Sequence, residues 1–104
     1  MSESDVLLRQ LDGHFAGLRR ERDPADAVVA EHLTLALRRL VTETAQASAA
    51  DRALVRAAVH YVVLRRRDRR VARAVAEDVR VVNDILHVLG RADLTVRMTP
   101  EAAA

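Results

Sequence analysis

The sequence of 104 residues contains no cysteine, no tryptophan and no lysine, and it has one Phe and one Tyr. The absence of cysteine excludes disulfides, thiolate nucleophiles and cysteine-ligated zinc or iron–sulfur sites. The shortage of aromatic rings removes the stacking platform that single-strand nucleic-acid binders and carbohydrate sites use. The hydrophobic half of the composition is mostly Ala, Val and Leu, so we expect an aliphatic core.

Long apolar runs are also missing from the sequence. No segment approaches the roughly 20 apolar residues that cross a bilayer, and residues 1–8, MSESDVLL, lack the basic-then-apolar layout of a signal peptide. We therefore expect a cytoplasmic protein. A chain of this length fits one domain and buries about two-thirds of its unfolded surface, so a core can form without disulfides or metals.

The charge is small in total but uneven along the chain. All 17 basic residues are Arg, and the net charge is +2. Residues 1–51 contain six Arg and nine acidic residues, whereas residues 52–104 contain eleven Arg and six acidic residues. This asymmetry favours an acidic partner, or antiparallel self-association of the acidic half with the basic half.

The apolar periodicity predicts an all-α protein, a small bundle of about four helices. The first helix is expected over residues 5–22, where Gly13 and Gly17 either allow close packing or weaken the helix; we favour weakness. The second is expected to begin at Pro24, after an Asp23 N-cap. Its apolar stripe is wider than the first helix alone should cover, which favours a homodimer. The stripe contains Val29, Leu33, Leu37, Leu40 and Val41.

From the expected N-cap Ser48 onward, the pattern is a heptad seam. The seam is polar only at Arg65 and Asp68. Either the chain turns near residues 65–69, which we favour, or helices three and four merge into one helix of about 41 residues and roughly 60 Å. The seam consists of Leu54, Ala58, Tyr61, Arg65, Asp68, Ala72, Val75, Val79, Val82, Leu86 and Leu89.

The end of the last helix is marked by Gly90, which is expected to take the left-handed conformation of a helix C-cap. The sequence that follows has no further apolar periodicity. We therefore assign residues 1–93 to a helical bundle domain and residues 94–104 to an extended or disordered tail.

The densest charge lies at residues 65–70, RRRDRR. Guanidinium groups suit phosphate and carboxylate partners, so this cluster is a candidate site for an anionic partner. The alternative, which we favour, is a solvated helix face partly neutralised by Arg73–Glu77 and Arg80–Asp84 pairs. On the heptad wheel Arg52 shares the outermost position with Arg66, Arg73 and Arg80, and Arg56 and Arg91 lie beside this row. We call the candidate set the arginine ridge: Arg65, Arg66, Arg67, Arg69, Arg70, Arg73 and Arg80.

No catalytic or metal-binding constellation is evident. Asp84 and His87 lie one turn apart, as in di-iron four-helix proteins, but those use the motif twice with two further inward Glu residues. The serines lie at predicted helix starts, where capping explains them. We expect no enzyme activity, no cofactor and no metal.

The second half of the chain resembles the YkvA-like family of unknown function. The similarity is carried by AAVHYVVL at residues 57–64 and EDVRVVNDILHVLGRADL at residues 77–94. Tyr61 matches a Tyr-bearing helix, and Glu77 with Asp78 matches paired acids that open the next helix. The Pro- and Asp-rich loop of the family is replaced here by RRRDRRVARAVA. The resemblance implies a small helical domain and no known chemistry.

These patterns favour a non-enzymatic protein that acts by protein–protein association, as a homodimeric adaptor or regulator. The alternative is a regulator that binds nucleic acid or a phosphorylated small ligand through the arginine ridge. Salt distinguishes the two, because binding to phosphates weakens steeply with salt whereas an aliphatic interface changes little.

Overall fold

The computed structural model describes residues 2–18, 24–64 and 71–98. Within them the chain forms four helices, α1 (Glu3–Leu18), α2 (Pro24–Glu43), α3 (Ala49–Leu64) and α4 (Val71–Val88), followed by a 3-10 turn (Ala92–Leu94). This part of the chain contains no β-strand, and none of its helices is both long and apolar enough to cross a membrane. The predicted all-α bundle of about four helices is confirmed.

The starts of the helices follow from local capping. The Asp5 N–H donates to Ser2 Oγ at 3.1 Å before α1, and the Asp51 N–H donates to Ser48 Oγ at 3.1 Å before α3. Each serine thus satisfies an amide of the first turn, which has no partner within the helix. Helix α2 begins at Pro24 as predicted, while the expected cap and the expected end of the first helix lie outside the described residues.

Helices α3 and α4 are separate and pack against each other. A continuous helix over residues 49–88 would be about 60 Å long, but the longest dimension of the molecule is 37 Å. Residues 49–88 therefore do not form one straight helix, and the merged alternative is not confirmed. The favoured turn at residues 65–69 lies outside the described residues.

The end of α4 is a Schellman motif. Gly90 has φ +74°, the Gly90 N–H donates to the His87 carbonyl at 3.1 Å, and the Arg91 N–H donates to the Leu86 carbonyl at 2.8 Å. Glycine suits this position because a side chain is strained at positive φ. The predicted left-handed cap is confirmed.

One aliphatic cluster fills the space between the helices, with Tyr61 packed at its edge. Val75, Val79, Val82 and Leu86 of the predicted seam are in it and Leu89 packs against it, so the inward side of α4 was predicted correctly. The buried members are Leu7, Leu11, Val29, Leu33, Ala36, Leu37, Leu40, Val41, Val55, Ala58, Val59, Val62, Val75, Val79, Val82, Leu86, Leu94 and Val96.

Helix α3 is rotated by about one residue from the predicted seam. Val55, Val59 and Val62 are buried together with Ala58, whereas Leu54 and Tyr61 are only half-buried. The heptad register of α4 does not extend into α3 because the two are separate helices, and each turns its own stripe toward the common core.

The wide apolar stripe of α2 is covered within a single copy of the chain. Its residues, which were predicted to be covered by a second copy of the chain, are between 0% and 4% exposed. The reason is that α1, α3 and α4 all pack on α2, so three helices share the stripe. The width of this stripe therefore gives no support for a dimer.

The packed part of the chain also continues beyond residue 93. Leu94 and Val96 are each 6% exposed and belong to the core cluster. The 3-10 turn after Gly90 directs the chain back onto α4. The first residues of the predicted tail are thus part of the folded domain, and residues 99–104 lie outside the described part.

Candidate interaction surface

Most of the arginine ridge, Arg65 to Arg70, lies outside the described residues. Arg73 is in the first turn of α4, but its side chain is not described. Arg80 is exposed and makes no ion pair with any residue of the described ranges, so the predicted pair with Asp84 is not formed. Arg80 is therefore the one member of the ridge whose side chain the structure describes.

The two arginines that lie beside the ridge on the heptad wheel, Arg56 and Arg91, contribute to the fold instead. Arg56 Nη1 lies 2.7 Å from Glu3 Oε2, which ties α3 to the start of α1. Arg91 forms ion pairs with both Glu43 and Asp93. These guanidinium groups already have carboxylate partners in their own chain, which reduces what they offer to an external anion.

The ion pairs also change the acidity of the carboxyl groups. Hydrogen bonds from Arg91 and Arg39 lower the pKa of Glu43, and one from Arg91 lowers the pKa of Asp93. A hydrogen bond from Arg56 likewise lowers the pKa of Glu3. All three carboxyl groups are therefore ionised at neutral pH.

The described residues contain no side-chain cluster of the kind that binds a metal ion, and the crevice beside the helix starts is small. They include no cluster of three or more His, Asp or Glu side chains placed to hold a metal ion, and Asp84 and His87 are both exposed on α4. The crevice between α1, α2 and α3 has a volume of about 10 Å³, which is about the space of one water molecule.

The outward side of α2 differs from the rest of the described surface. Val28 and Leu35 are 38% and 52% exposed, and with the exposed Thr42 they recur every seven residues, so they lie on one side of the helix. We call this side the outer stripe of α2: Val28, Glu31, His32, Leu35, Arg38, Arg39 and Thr42. The other large apolar side chains exposed in the described part lie on other elements: Val6, Leu64, Val88 and Met98.

A shallow groove of about 390 Å³ lies on the outer stripe. It is lined by Leu35, Arg38, Arg39, Thr42 and Glu43. Leu35 is the one large apolar side chain of this lining. The groove thus combines an exposed apolar side chain with charged and polar ones, a composition typical of a protein-binding surface.

Both edges of the groove are held by ion pairs. Arg38 Nη1 lies 2.6 Å from Asp12 Oδ1 of α1. On the other side, Arg39 Nη2 lies 3.1 Å from Glu43 Oε2, and Glu43 also binds Arg91. Exposed pairs of this kind add little to stability, but they fix the positions of the charged side chains around Leu35.

Two features of the structure were missed in the sequence. The outer stripe is marked by the seven-residue spacing of Val28, Leu35 and Thr42, but the stronger stripe on the opposite side of α2 dominates the pattern. Asp78 is 6% exposed inside α4. Its position three residues after Val75 and four before Val82, on the inward side of the helix, is the signal that could have identified it.

No family model, no curated protein and no solved structure matches this chain. The resemblance to the YkvA-like family therefore stays a prediction, and the function has to be argued from the residues and their arrangement.

Proposed function

We propose that this protein is a non-enzymatic, cytoplasmic helical protein that acts by protein–protein association, as a homodimeric adaptor or regulator. The observation that carries the proposal is Leu35, which is 52% exposed and lines a groove together with charged and polar side chains. Burying a fully exposed aliphatic side chain is favourable by about 1.5–3 kcal/mol, and the half-exposed Leu35 would contribute about half of that in each copy. Charged side chains around such a side chain give an interface its specificity.

The closed core limits where a partner can bind. The apolar side chains of the four helices already cover one another, so a single copy has a closed core. A partner would therefore bind at exposed side chains, and the outer stripe of α2 is the described surface on which exposed apolar residues share one side of a helix.

The arginine ridge receives less support as a binding surface. Arg56 and Arg91, which lie beside it, are paired with carboxylates of their own chain, and of the ridge itself the structure describes only the side chain of Arg80. No observation on the described residues favours nucleic acid or a phosphorylated ligand over a protein partner.

Light scattering tests the proposal. At about 100 µM protein, where mass action populates even a weak dimer, we expect a mass twice that of the 11.5 kDa chain. The mass should change little between about 0.15 M and 1 M salt if apolar contacts dominate. A monomeric mass at this concentration would contradict the homodimer.

Binding to a generic polyanion is the companion measurement. Any basic surface binds polyanions at low salt, so the measurement is made at physiological ionic strength. Nucleic-acid binding that persists there and weakens steeply with added salt would instead support the arginine ridge. Its absence, together with a dimeric mass, supports association between copies of the chain.

A further inference from the structure

The charges on the outer stripe of α2 are complementary to those of a second copy of the same stripe. We propose that two copies of the chain associate through α2 in antiparallel orientation, about a twofold axis at Leu35, with Glu31 of each copy facing Arg38 of the other. This inference deepens the homodimer proposed above and rests on it.

The positions of the charges on the helix support this pairing. An α-helix turns by about 100° and rises by 1.5 Å per residue. Glu31 and Arg38 therefore lie on the same side of Leu35, at about 40° and 60° from it, whereas His32 and Arg39 lie on the other side. The ion pairs agree, since Arg38 contacts Asp12 of α1 and Arg39 contacts Glu43.

In an antiparallel pair, the side of one helix that carries Glu31 and Arg38 lies next to the same side of the other helix. Glu31 lies about 6 Å before Leu35 along the helix axis, and Arg38 lies about 4.5 Å after it. Glu31 of one copy and Arg38 of the other are then level to within about 1.5 Å. Symmetry forms this pair twice, and it places Val28 of each copy opposite Thr42 of the other.

A parallel pair would place different residues together. The side of one helix that carries Arg38 then lies next to the side of the other helix that carries Arg39. Both residues are at nearly the same position along the helix axis, so Arg38 of each copy faces Arg39 of the other. Two contacts between like charges oppose that arrangement. The charge pattern of the outer stripe therefore selects the antiparallel orientation.

The side chains are available for this contact. Glu31 is exposed and forms no ion pair with the residues that the structure describes. The Arg38 side chain is 39% exposed although it binds Asp12. Because a guanidinium group has five N–H donors, Arg38 can contact Asp12 and Glu31 of the second copy together.

Charge reversal with mixing tests the proposal. Glu31→Arg places Arg against Arg in a homodimer, and Arg38→Glu places Glu against Glu. We expect each variant alone to self-associate about tenfold or more weakly than the parent. A mixture of the two variants restores both opposite-charge pairs and should form a heterodimer, measured by sedimentation or by light scattering of the mixture.

Matched controls separate the interface from general effects on charge and folding. Leu35→Asp should abolish association, whereas Val88→Asp, at a side chain that is 71% exposed on α4, should leave it unchanged. Arg80→Glu changes the net charge as Arg38→Glu does, but away from the stripe, and should also have no effect. Circular dichroism verifies that every variant remains helical.

The outcomes distinguish this inference from the proposal on which it rests. A parent that dimerises while the Leu35→Asp and both charge-reversal variants also dimerise overturns the α2 interface and leaves the homodimer standing. Variants that are monomeric alone and stay monomeric when mixed overturn the antiparallel pairing. A parent that is monomeric at about 100 µM, where a weak dimer would form, overturns both.

Discussion

The side chain of Asn83 on α4 is paired with the backbone of Val96 through two hydrogen bonds. Asn83 Nδ2 donates to the Val96 carbonyl at 3.0 Å, and the Val96 N–H donates to Asn83 Oδ1 at 2.9 Å. One amide side chain thus satisfies both backbone groups of a residue thirteen positions away. This pairing holds the segment after the 3-10 turn on α4 and keeps the Val96 side chain in the core.

Replacing Asn83 with Ala should release this segment. Both backbone groups of Val96 lose their partner, and we expect a loss of about 1–3 kcal/mol in the free energy of unfolding, measured by urea denaturation. Hydrogen exchange at the Val96 amide should become faster. Asp84→Ala, at the exposed neighbouring position, is the control and should change stability by less than about 0.5 kcal/mol. Equal effects of the two variants would contradict a specific role for Asn83.

The two described glycines should respond to alanine in opposite directions. Gly13 is exposed inside α1, and an added Cβ would meet no atom within 4 Å. The close-packing interpretation therefore does not apply there, and Gly13→Ala should stabilise the protein by about 1 kcal/mol. Gly90 has φ +74°, so Gly90→Ala should destabilise it by about 1 kcal/mol or more.

The measurement for both glycine variants is the melting temperature. A change of 1 kcal/mol corresponds to a shift of about 4–8 °C in a domain of this size. A lower melting temperature for Gly13→Ala would show that α1 needs glycine at this position for a reason other than packing.

Burial should determine the cost of shortening valines on α4. Val82 is 0% exposed and Val88 is 71% exposed on the same helix. Val82→Ala removes two buried methyl groups and leaves a cavity, so we expect a loss of about 2 kcal/mol or more. Val88→Ala should be neutral or slightly stabilising, because Ala has the higher helix propensity. Similar unfolding midpoints in urea for the two variants would show that α4 is oriented differently.

Because of Arg91, the free energy of unfolding should depend on pH in the acidic range. The hydrogen bonds of Arg91 lower the pKa of Glu43 and Asp93 from ordinary values near 4.5 and 3.8. The folded state therefore holds these protons less tightly than the unfolded state does. The stability gained is fully present when the pH is above the ordinary pKa values of the two carboxyl groups. It is lost as the pH falls through their lower pKa values in the folded state.

Urea unfolding of the parent and of Arg91→Gln at pH 7 and about pH 3 measures this contribution. The parent should lose more stability on acidification than the variant, because the variant lacks the guanidinium group. Arg80→Gln, which removes an arginine without an ion pair to the described residues, should keep the slope of the parent. An unchanged slope in Arg91→Gln would contradict the assigned pairing.

The positions of several helix ends were determined by the sequence itself. Pro24 starts α2, Ser48 caps α3 and Gly90 ends α4. Each of these features depends on backbone geometry or on hydrogen bonds that span no more than five residues. The inward side of α4 was also predictable, since its apolar residues follow one regular stripe.

Only the tertiary structure decided which surfaces remain exposed. Three helices cover the wide stripe of α2, α3 is rotated away from the predicted seam, and Val96 is buried although it lies in the segment predicted to be a tail. The outer stripe around Leu35 became a candidate interface only because the opposite side of α2 is covered. These results depend on contacts between residues that are far apart in the chain. The local pattern of apolar residues does not give the free energies of such contacts.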